Sequence, residues 1–291
     1  MSTDVPSADV PSAETRSPWR ELGPGIYVLR TGFRMNVGLV VGTEKALVVD
    51  TGAGPVSAAE VYSHVRDVTA LPLIVVNTHA HADHFFGNSY FAAQGVEEFW
   101  ATSRCSAVQA ENGEEQRALV AAVEPAMGAG EGLHAAILPA NRLVEGKPVD
   151  LDLGGVSVTL FHLGRGHTDH DLLIGAGNVL FTGDLVEEGS DPVFEDSFPV
   201  DWVRTLGKMV ALEDLYDVFV PGHGEPVAVQ EVITQMNKMR SAIRVTRTAM
   251  DEASVDMTKA IPILPYGPEQ SRALLIRLRT LAHWSWLTRK H

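Results

Sequence analysis

The sequence repeatedly places a side chain of the metal-ligand type directly after a short apolar segment. Residues 73–76 are a continuous apolar run, typical of a strand buried on both faces, and residues 79–84 with their three histidines follow closely. Asp184 and His223 each follow another apolar run. Because ligand residues collect at the strand ends of layered α/β folds, where loops converge, the pattern predicts a common site at one sheet edge.

The loop after the first run carries four ligand-type side chains within six positions. His79 and His81 are two residues apart, so a tight turn can bring both imidazoles to one metal, while Asp83 and His84 lie where a second metal could bind. Cys105 is the single cysteine, which excludes an intramolecular disulfide and a cysteine-cluster site. Histidine and carboxylate must therefore supply the ligands; the alternative for this loop is a solvated polar turn.

Three further residues are candidate metal ligands only when they are considered together. His167 follows glycines that let the backbone turn a ligand inward, Asp184 follows a strand and a glycine, and His223 lies in a turn marked by glycines. Taken singly, each is also explained by an ordinary polar turn. Together with the loop, they form a set in which several strand ends deliver ligand-type side chains to the same edge.

Two strand-rich halves, each flanked by helices, predict a four-layer α/β sandwich (αββα) with the metal site at one edge of the two sheets. The predicted strands are residues 26–30, 37–41, 46–50, 73–77, 156–161, 171–174, 179–182 and 217–220. The predicted helices are residues 56–68, 103–126, 201–212, 229–250 and 269–288, with a glycine-rich loop at 128–132.

The chain is predicted to consist of a tail and one domain. Residues 1–20 lack a periodic apolar face and are expected to be a disordered N-terminal tail, while residues 21–291 are expected to form a single domain with C-terminal helices from about residue 228. No run approaches the roughly 18 apolar residues of a membrane span, and the N-terminus lacks the apolar segment of a signal peptide. We therefore expect a cytoplasmic protein without a membrane partner.

The charge balance bears on the class of partner. The 23 lysines and arginines against 37 acidic residues give a net charge of −14, which repels polyanions and argues against nucleic acid. A small-molecule substrate is expected, and no basic cluster suited to a glutathione carboxylate is evident along the chain. The oligomeric state stays open, with a homodimer as one option.

The order of the motifs resembles that of the metallo-β-lactamase fold superfamily over about residues 25–227. The matching motifs are residues 48–52 (VVDTG), 78–84 (THAHADH), 166–168 (GHT), 182–184 (TGD) and 222–224 (GHG). The resemblance implies that His79, His81 and His167 hold one metal, that Asp83, His84 and His223 hold a second, and that Asp184 bridges them. It implies two divalent metal ions, with zinc first and iron or manganese as alternatives.

The resemblance also directs the expected activity. An aspartate at position 184 is typical of glyoxalase II-like and lactonase-like members, whereas members similar to true zinc β-lactamases usually carry cysteine or serine there. Two metals about 3.5–4 Å apart can share a water, lower its pKa toward ~7 and yield a bridging hydroxide nucleophile. The expected enzyme is thus a hydrolase of an ester, thioester, lactone or related carbonyl, in which Asp83 is both a ligand and the catalytic residue that orients the water or moves its proton.

Three alternatives remain at this stage: a mononuclear iron enzyme similar to persulfide dioxygenases, a non-catalytic binding member of the fold, and a β-lactam hydrolase. Asp50 is the first candidate for fixing a histidine tautomer from outside the ligand set. The roles of His170 and Asp171 are left open, as is the question of whether residues 186–199 cover the site.

Overall fold

Two neighbouring strands show why the first sheet is buried on both faces. In β4 (Ala46–Val49) and β5 (Leu73–Val76) every residue is apolar and buried, and successive side chains point to opposite faces of the sheet. The two strands pair in parallel, from Ala46 beside Leu73 to Val49 beside Val76. The computed structural model describes residues 17–251 and 261–287 of the chain.

The first sheet has seven strands in sequence order, antiparallel from β1 to β4 and parallel from β4 to β7. Its other strands are β1 (Trp19–Gly23), β2 (Ile26–Arg30), β3 (Asn36–Val41), β6 (Phe99–Thr102) and β7 (Arg142–Val144). The second sheet runs in the order β12-β11-β10-β9-β8, with only the β11–β12 pair parallel. Its strands are β8 (Val149–Asp152), β9 (Ser157–Phe161), β10 (Leu173–Ala176), β11 (Val179–Glu187) and β12 (Val218–His223).

Helices cover the outer face of each sheet, and three short helices pack together in a separate apolar cluster. They are α1 (Pro55–Val68), α2 (Ala82–Phe85), α3 (Asn88–Ala93), α4 (Ser103–Asn112), α5 (Arg117–Val120), α6 (Pro125–Ala129), α7 (Pro199–Val210), α8 (Val229–Asp251) and α9 (Pro268–Leu287). In α7, Trp202, Leu206 and Met209 recur at helical spacing and are fully buried. Within the part of the chain that the structure describes, none of the helices combines the length and apolar character needed to span a bilayer.

Three apolar layers separate the four layers of secondary structure. One lies between the first sheet and α1, α3 and α4, one between the two sheets, and one between the second sheet and α7, α8 and α9. The predicted αββα sandwich is confirmed. The sheets approach closely where Phe181 of β11 faces Gly38 of β3, because a Cβ atom at Gly38 would lie 2.5 Å from the Phe181 ring.

Several sequence-based boundaries differ from the structure. The predicted tail ends too late, since Trp19 and Arg20 belong to β1, and residues 1–16 lie outside the described part. The helix predicted over 103–126 breaks after Asn112, and α6 includes two residues of the predicted loop at 128–132. A single domain over 21–291 stays a prediction.

Candidate metal centre

The loop after β5 turns sharply into a one-turn helix, and this turn orients the first four candidate ligands. His81 has extended backbone geometry (φ −79°, ψ 146°) and immediately precedes α2, which carries Asp83 and His84. Ala80 and Ala82 are buried with 0% and 2% exposure, so their small side chains allow the loop to pack tightly. The histidines and Asp83 are thereby directed toward the second sheet.

The first group of ligand atoms comes from both sheets. His79, His81, His167 and Asp184 each offer an atom such that all four atoms lie within 4.8 Å of one another. The distance from His167 Nε2 to His81 Nδ1 is 3.0 Å, and Asp184 Oδ2 lies 3.6 Å from the Nε2 atoms of both His79 and His167. Three imidazoles and a carboxylate thus converge on one point.

A second group lies beside the first. Asp83, His84 and His223 also offer ligand atoms within 4.8 Å of one another. Asp83 Oδ2 is 3.1 Å from His223 Nε2 and 3.7 Å from His84 Nε2. His223 is the last residue of β12, so the end of this strand delivers it to the edge where α2 lies.

Asp184 stands between the two groups. Its Oδ1 atom lies 3.5 Å from His84 Nε2, while its Oδ2 atom faces His79 and His167 of the first group and lies 3.8 Å from His223 Nε2. The sequence pattern placed Asp184 beyond a strand end, whereas it lies inside β11 after a register shift at Gly183. That irregularity is what directs an interior strand residue into the site.

Two glycines make room for this arrangement. A Cβ atom at Gly222 would lie 1.8 Å from Asp184 Oδ1 and 3.0 Å from His84 Cε1. Gly183 has φ +51°, and a Cβ atom there would lie 2.8 Å from Thr78 Cβ. Any larger residue at position 222 would displace the Asp184 carboxylate.

The donor set fits a divalent cation. His79 Nε2, His84 Nε2 and Asp184 Oδ1 are buried and have no hydrogen-bond partner within the described part of the chain. Buried polar atoms without a partner are costly, and all three belong to the two convergent groups. Imidazole nitrogens with carboxylate oxygens are the ligands of zinc and related divalent metals, so a bound cation would satisfy these atoms.

Asp50 orients two of the histidines. Its carboxylate accepts hydrogen bonds of 2.8 Å from Thr78 N, Thr78 Oγ1 and His84 Nδ1, and Thr78 Oγ1 lies 3.0 Å from His79 Nδ1. With each Nδ1 held in this way, the Nε2 lone pairs of His79 and His84 face the cluster. Asp50 is 1% exposed and has φ +64°, a strained backbone geometry of the kind found at functional sites.

Asp196 plays the same part for His81, and sequence reasoning missed it. Its Oδ2 atom lies 2.9 Å from His81 Nε2, which leaves His81 Nδ1 facing His167. Burial raises the pKa of Asp196, but the hydrogen bond and the charge of His81 lower it overall to about 2. The segment 186–199 therefore reaches the site through Asp196.

Neighbouring histidines keep the Asp83 carboxylate of the cluster in its ionised form. Burial raises the pKa of Asp83, yet His84 and His223 lower it overall to about 2. Burial lowers the pKa of His223, but Asp184 and Asp83 raise it overall to about 9. Conversely, burial and the neighbouring His84 hold the pKa of His79 well below its usual value, so His79 is neutral and its lone pair is free.

The two residues left open support the loops. His170 Nε2 accepts a hydrogen bond of 3.2 Å from Ala80 N, and Asp171 Oδ1 accepts bonds from Thr168 N (3.0 Å) and Thr168 Oγ1 (2.6 Å). Neither joins the two groups of convergent atoms. They hold in place the chain segments that carry the candidate ligands.

Sequence comparison agrees with this geometry. A model of the metallo-beta-lactamase superfamily matches residues 30–223, and the chain belongs to this superfamily. Family and cluster together indicate a metal-binding hydrolase.

Named relatives narrow the comparison further. The chain is 30% identical over 228 residues to the acyl-coenzyme A thioesterase MBLAC2 of Bos taurus and 29% identical to that of Homo sapiens, which in both cases covers 70% of this chain and 80% of the relative. It is 25% identical over 248 residues to a linear primary-alkylsulfatase of a Pseudomonas species, covering 73% of this chain and 44% of that protein.

Solved structures share the fold. A metallo-beta-lactamase from Pontibacter korlensis superposes with a TM-score of 0.62 at 17% identity, over 76% of this chain and 98% of that one. The DIM-1 metallo-beta-lactamase gives a TM-score of 0.60 at 18% identity, over 77% of this chain and 97% of that one. At such identity the likeness establishes the fold alone.

Proposed function

We propose that this chain is a dinuclear zinc hydrolase of thioesters, with acyl-coenzyme A as its substrate class. The position of Asp184 supports the binding of two metal ions, because its two carboxylate oxygens face two adjacent groups of ligand atoms. The thioester part is supported by the similarity to the MBLAC2 thioesterases over four-fifths of their length.

In this proposal the ligand sets are those that the family resemblance implies. His79, His81 and His167 would hold one metal, Asp83, His84 and His223 would hold the second, and Asp184 would be shared between them. Bound divalent metals would supply an acidified water and a Lewis acid for the scissile carbonyl.

The chain's own residues would orient the attacking water and fix the tautomers of the metal-binding imidazoles. Asp83, whose pKa is about 2, is ionised at neutral pH and is the carboxylate that would accept a hydrogen bond from the attacking water and orient it. Asp50 and Asp196 fix the tautomers of His84 and His81. A thiolate leaves readily because its conjugate thiol has a pKa of about 8.5, so a thioester places little demand on a general acid.

The arrangement bears on the alternatives. A mononuclear iron enzyme would leave Asp83 and His84 without a metal, yet His84 Nε2 is buried, has no hydrogen-bond partner among the described residues, and is directed at the cluster. The β-lactamase neighbours are less than 20% identical and argue for the fold rather than for β-lactam hydrolysis. A cytoplasmic location and a homodimer stay predictions.

The test combines metal analysis with a substrate panel. The purified chain, reloaded with zinc, is expected to bind two ions and to hydrolyse acyl thioesters faster than matched oxygen esters, lactones, β-lactams or alkyl sulfates. A single iron per chain with oxygen consumption would contradict the proposal, as would two bound zinc ions with no thioester hydrolysis.

A further inference from the structure

Arginines are concentrated on one groove of this acidic chain. The groove lies between α7 and α8, has a volume of about 410 Å³, and is lined by Val200, Val203, Arg204, Arg240, Ile243, Arg244, Arg247 and Thr248. Half of these residues are arginines and none is acidic, although the whole chain carries a net charge of −14. The sequence spacing had suggested no such cluster, because two separate helices contribute to it.

The positive charge of the groove is only partly neutralised. Arg204 pairs with Asp201 at 2.9 Å, whereas Arg244 and Arg247 form no ion pair with any residue in 17–251 or 261–287. Arg240, Arg244 and Arg247 follow at spacings of four and three residues, so they share one face of α8. Like charges on one helix face repel one another, and an anionic ligand would relieve that repulsion.

A continuous set of contacts leads from the metal centre toward this groove. Asp196 contacts His81 with its side chain and accepts a hydrogen bond of 2.8 Å from Arg277 with its backbone oxygen. The guanidinium groups of Arg277 and Arg165 lie over the Phe198 ring, with Cζ 5.0 Å and 4.4 Å from its centroid.

The path then continues along the start of α7. Arg165 forms an ion pair with Asp201, and Asp201 in turn pairs with Arg204, which lines the groove. The positive groups are therefore distributed from the edge of the metal centre outward. A ligand with its reactive group at one end and negative charge at the other would match this distribution.

We propose that the arginine groove binds the phosphate groups of the coenzyme A moiety while the thioester lies at the metal centre. This inference rests on the proposed thioesterase function and assigns the residues that select for a phosphorylated leaving group. The guanidinium fork matches phosphate oxygens in pairs, and Val200, Val203 and Ile243 offer apolar surface to the nucleoside. In acyl-coenzyme A a long pantetheine arm separates the thioester from the phosphates, as binding at two separate places requires.

The first experiment compares two thioesters with the same acyl chain, an acyl-coenzyme A and the corresponding acyl-pantetheine, which has no phosphate. With the zinc-loaded chain, Arg244→Ala is expected to raise KM for acyl-coenzyme A by about tenfold, and Arg244→Ala/Arg247→Ala by more, with kcat unchanged. KM for acyl-pantetheine should not change. The matched control is Arg142→Ala on β7, an exposed arginine outside the groove.

The second experiment measures binding without turnover. Calorimetric titration with adenosine 3′,5′-bisphosphate should give a dissociation constant that rises about tenfold in Arg244→Ala, does not change in Arg142→Ala, and increases with salt. Equal binding in wild type and Arg244→Ala would overturn the inference, as would wild-type KM values that are the same for both thioesters. Failure to hydrolyse either thioester would instead contradict the proposed function, and the titration would still decide the role of the groove.

Discussion

Replacing Asp50 by asparagine tests whether the second metal position depends on a residue that touches no metal. The two carboxylate oxygens divide three donors: Oδ1 accepts from Thr78 N, and Oδ2 accepts from Thr78 Oγ1 and His84 Nδ1. Asparagine keeps the shape but replaces one oxygen by an NH₂ donor. Whichever way the amide turns, one protein N–H then faces another donor inside a site where Asp50 is 1% exposed.

The magnitude follows from those contacts. A hydrogen bond to a charged group contributes about 1.5–3 kcal/mol, and loss of such a partner of a metal-binding histidine lowers metal affinity by about 10- to 100-fold. With His84 Nδ1 no longer held as a donor, the proton can move to Nε2, the atom that faces the cluster. We expect the weaker of two zinc dissociation constants to rise by about 10- to 100-fold in Asp50→Asn.

The assay is competition between the protein and a chromophoric chelator, read together with the zinc content after dialysis. Asp67→Asn is the control, because Asp67 also lies beside a histidine, with Oδ2 3.4 Å from His64 Nδ1, but on the exposed surface of α1. Two zinc ions bound with unchanged affinity in Asp50→Asn would refute the reasoning.

Three further predictions concern the ligands, the glycine beside them and the metal itself. Asp184→Ala or His81→Ala should lower kcat by more than about 10³-fold with an unchanged far-ultraviolet circular dichroism spectrum; retained turnover would disprove the assignment. Gly222→Ala should lose bound zinc because its Cβ would lie 1.8 Å from Asp184 Oδ1, whereas Gly207→Ala in α7, with its nearest atom at 3.7 Å, should bind zinc normally. Removing zinc with a chelator should lower the Tm, because the metal binds the folded state and not the unfolded chain. For zinc present at 1,000 times its Kd, the loss corresponds to about 4 kcal/mol of unfolding free energy. An unchanged Tm would show that bound zinc does not stabilise the fold.

Local sequence pattern was sufficient for the elements with a strong apolar signal and insufficient for the others. Strand β5 is recognisable in the sequence because all four of its residues are apolar, and all four are buried in the structure. The edge strand β8 was missed because the exposed Asp150 and Asp152 interrupt its apolar residues, so that it contains no apolar run. The helix predicted over 103–126 ends at Asn112, and the following Gly113 packs so tightly that a Cβ atom there would lie 2.8 Å from Ile137, a contact that spacing along the chain does not reveal.

The residues of the candidate site likewise fall into those that the sequence predicts and those that it does not. The candidate ligands in the short loop 79–84 can be identified from the sequence because four of them lie within six positions. Asp50 can be identified because it directly follows a predictable strand. Asp196 is separated from its partner His81 by 115 positions and lies in an acidic run that also suits a solvated loop. Only the docking of the second half of the chain against the first brings it to the imidazole.

The division of the convergent atoms between the two sheets links the centre of the sandwich to its edge. Asp184 follows Phe181 by three residues on β11, and Phe181 fills the narrow space left by Gly38 on the opposite sheet. Because packed interiors yield little, we expect a change in the depth to which that ring inserts to shift the candidate ligand atoms of one sheet relative to those of the other. Affinity for a metal ion is therefore expected to depend on how closely the two sheets pack, so that a substitution in the apolar layer between them would change metal binding without altering a candidate ligand.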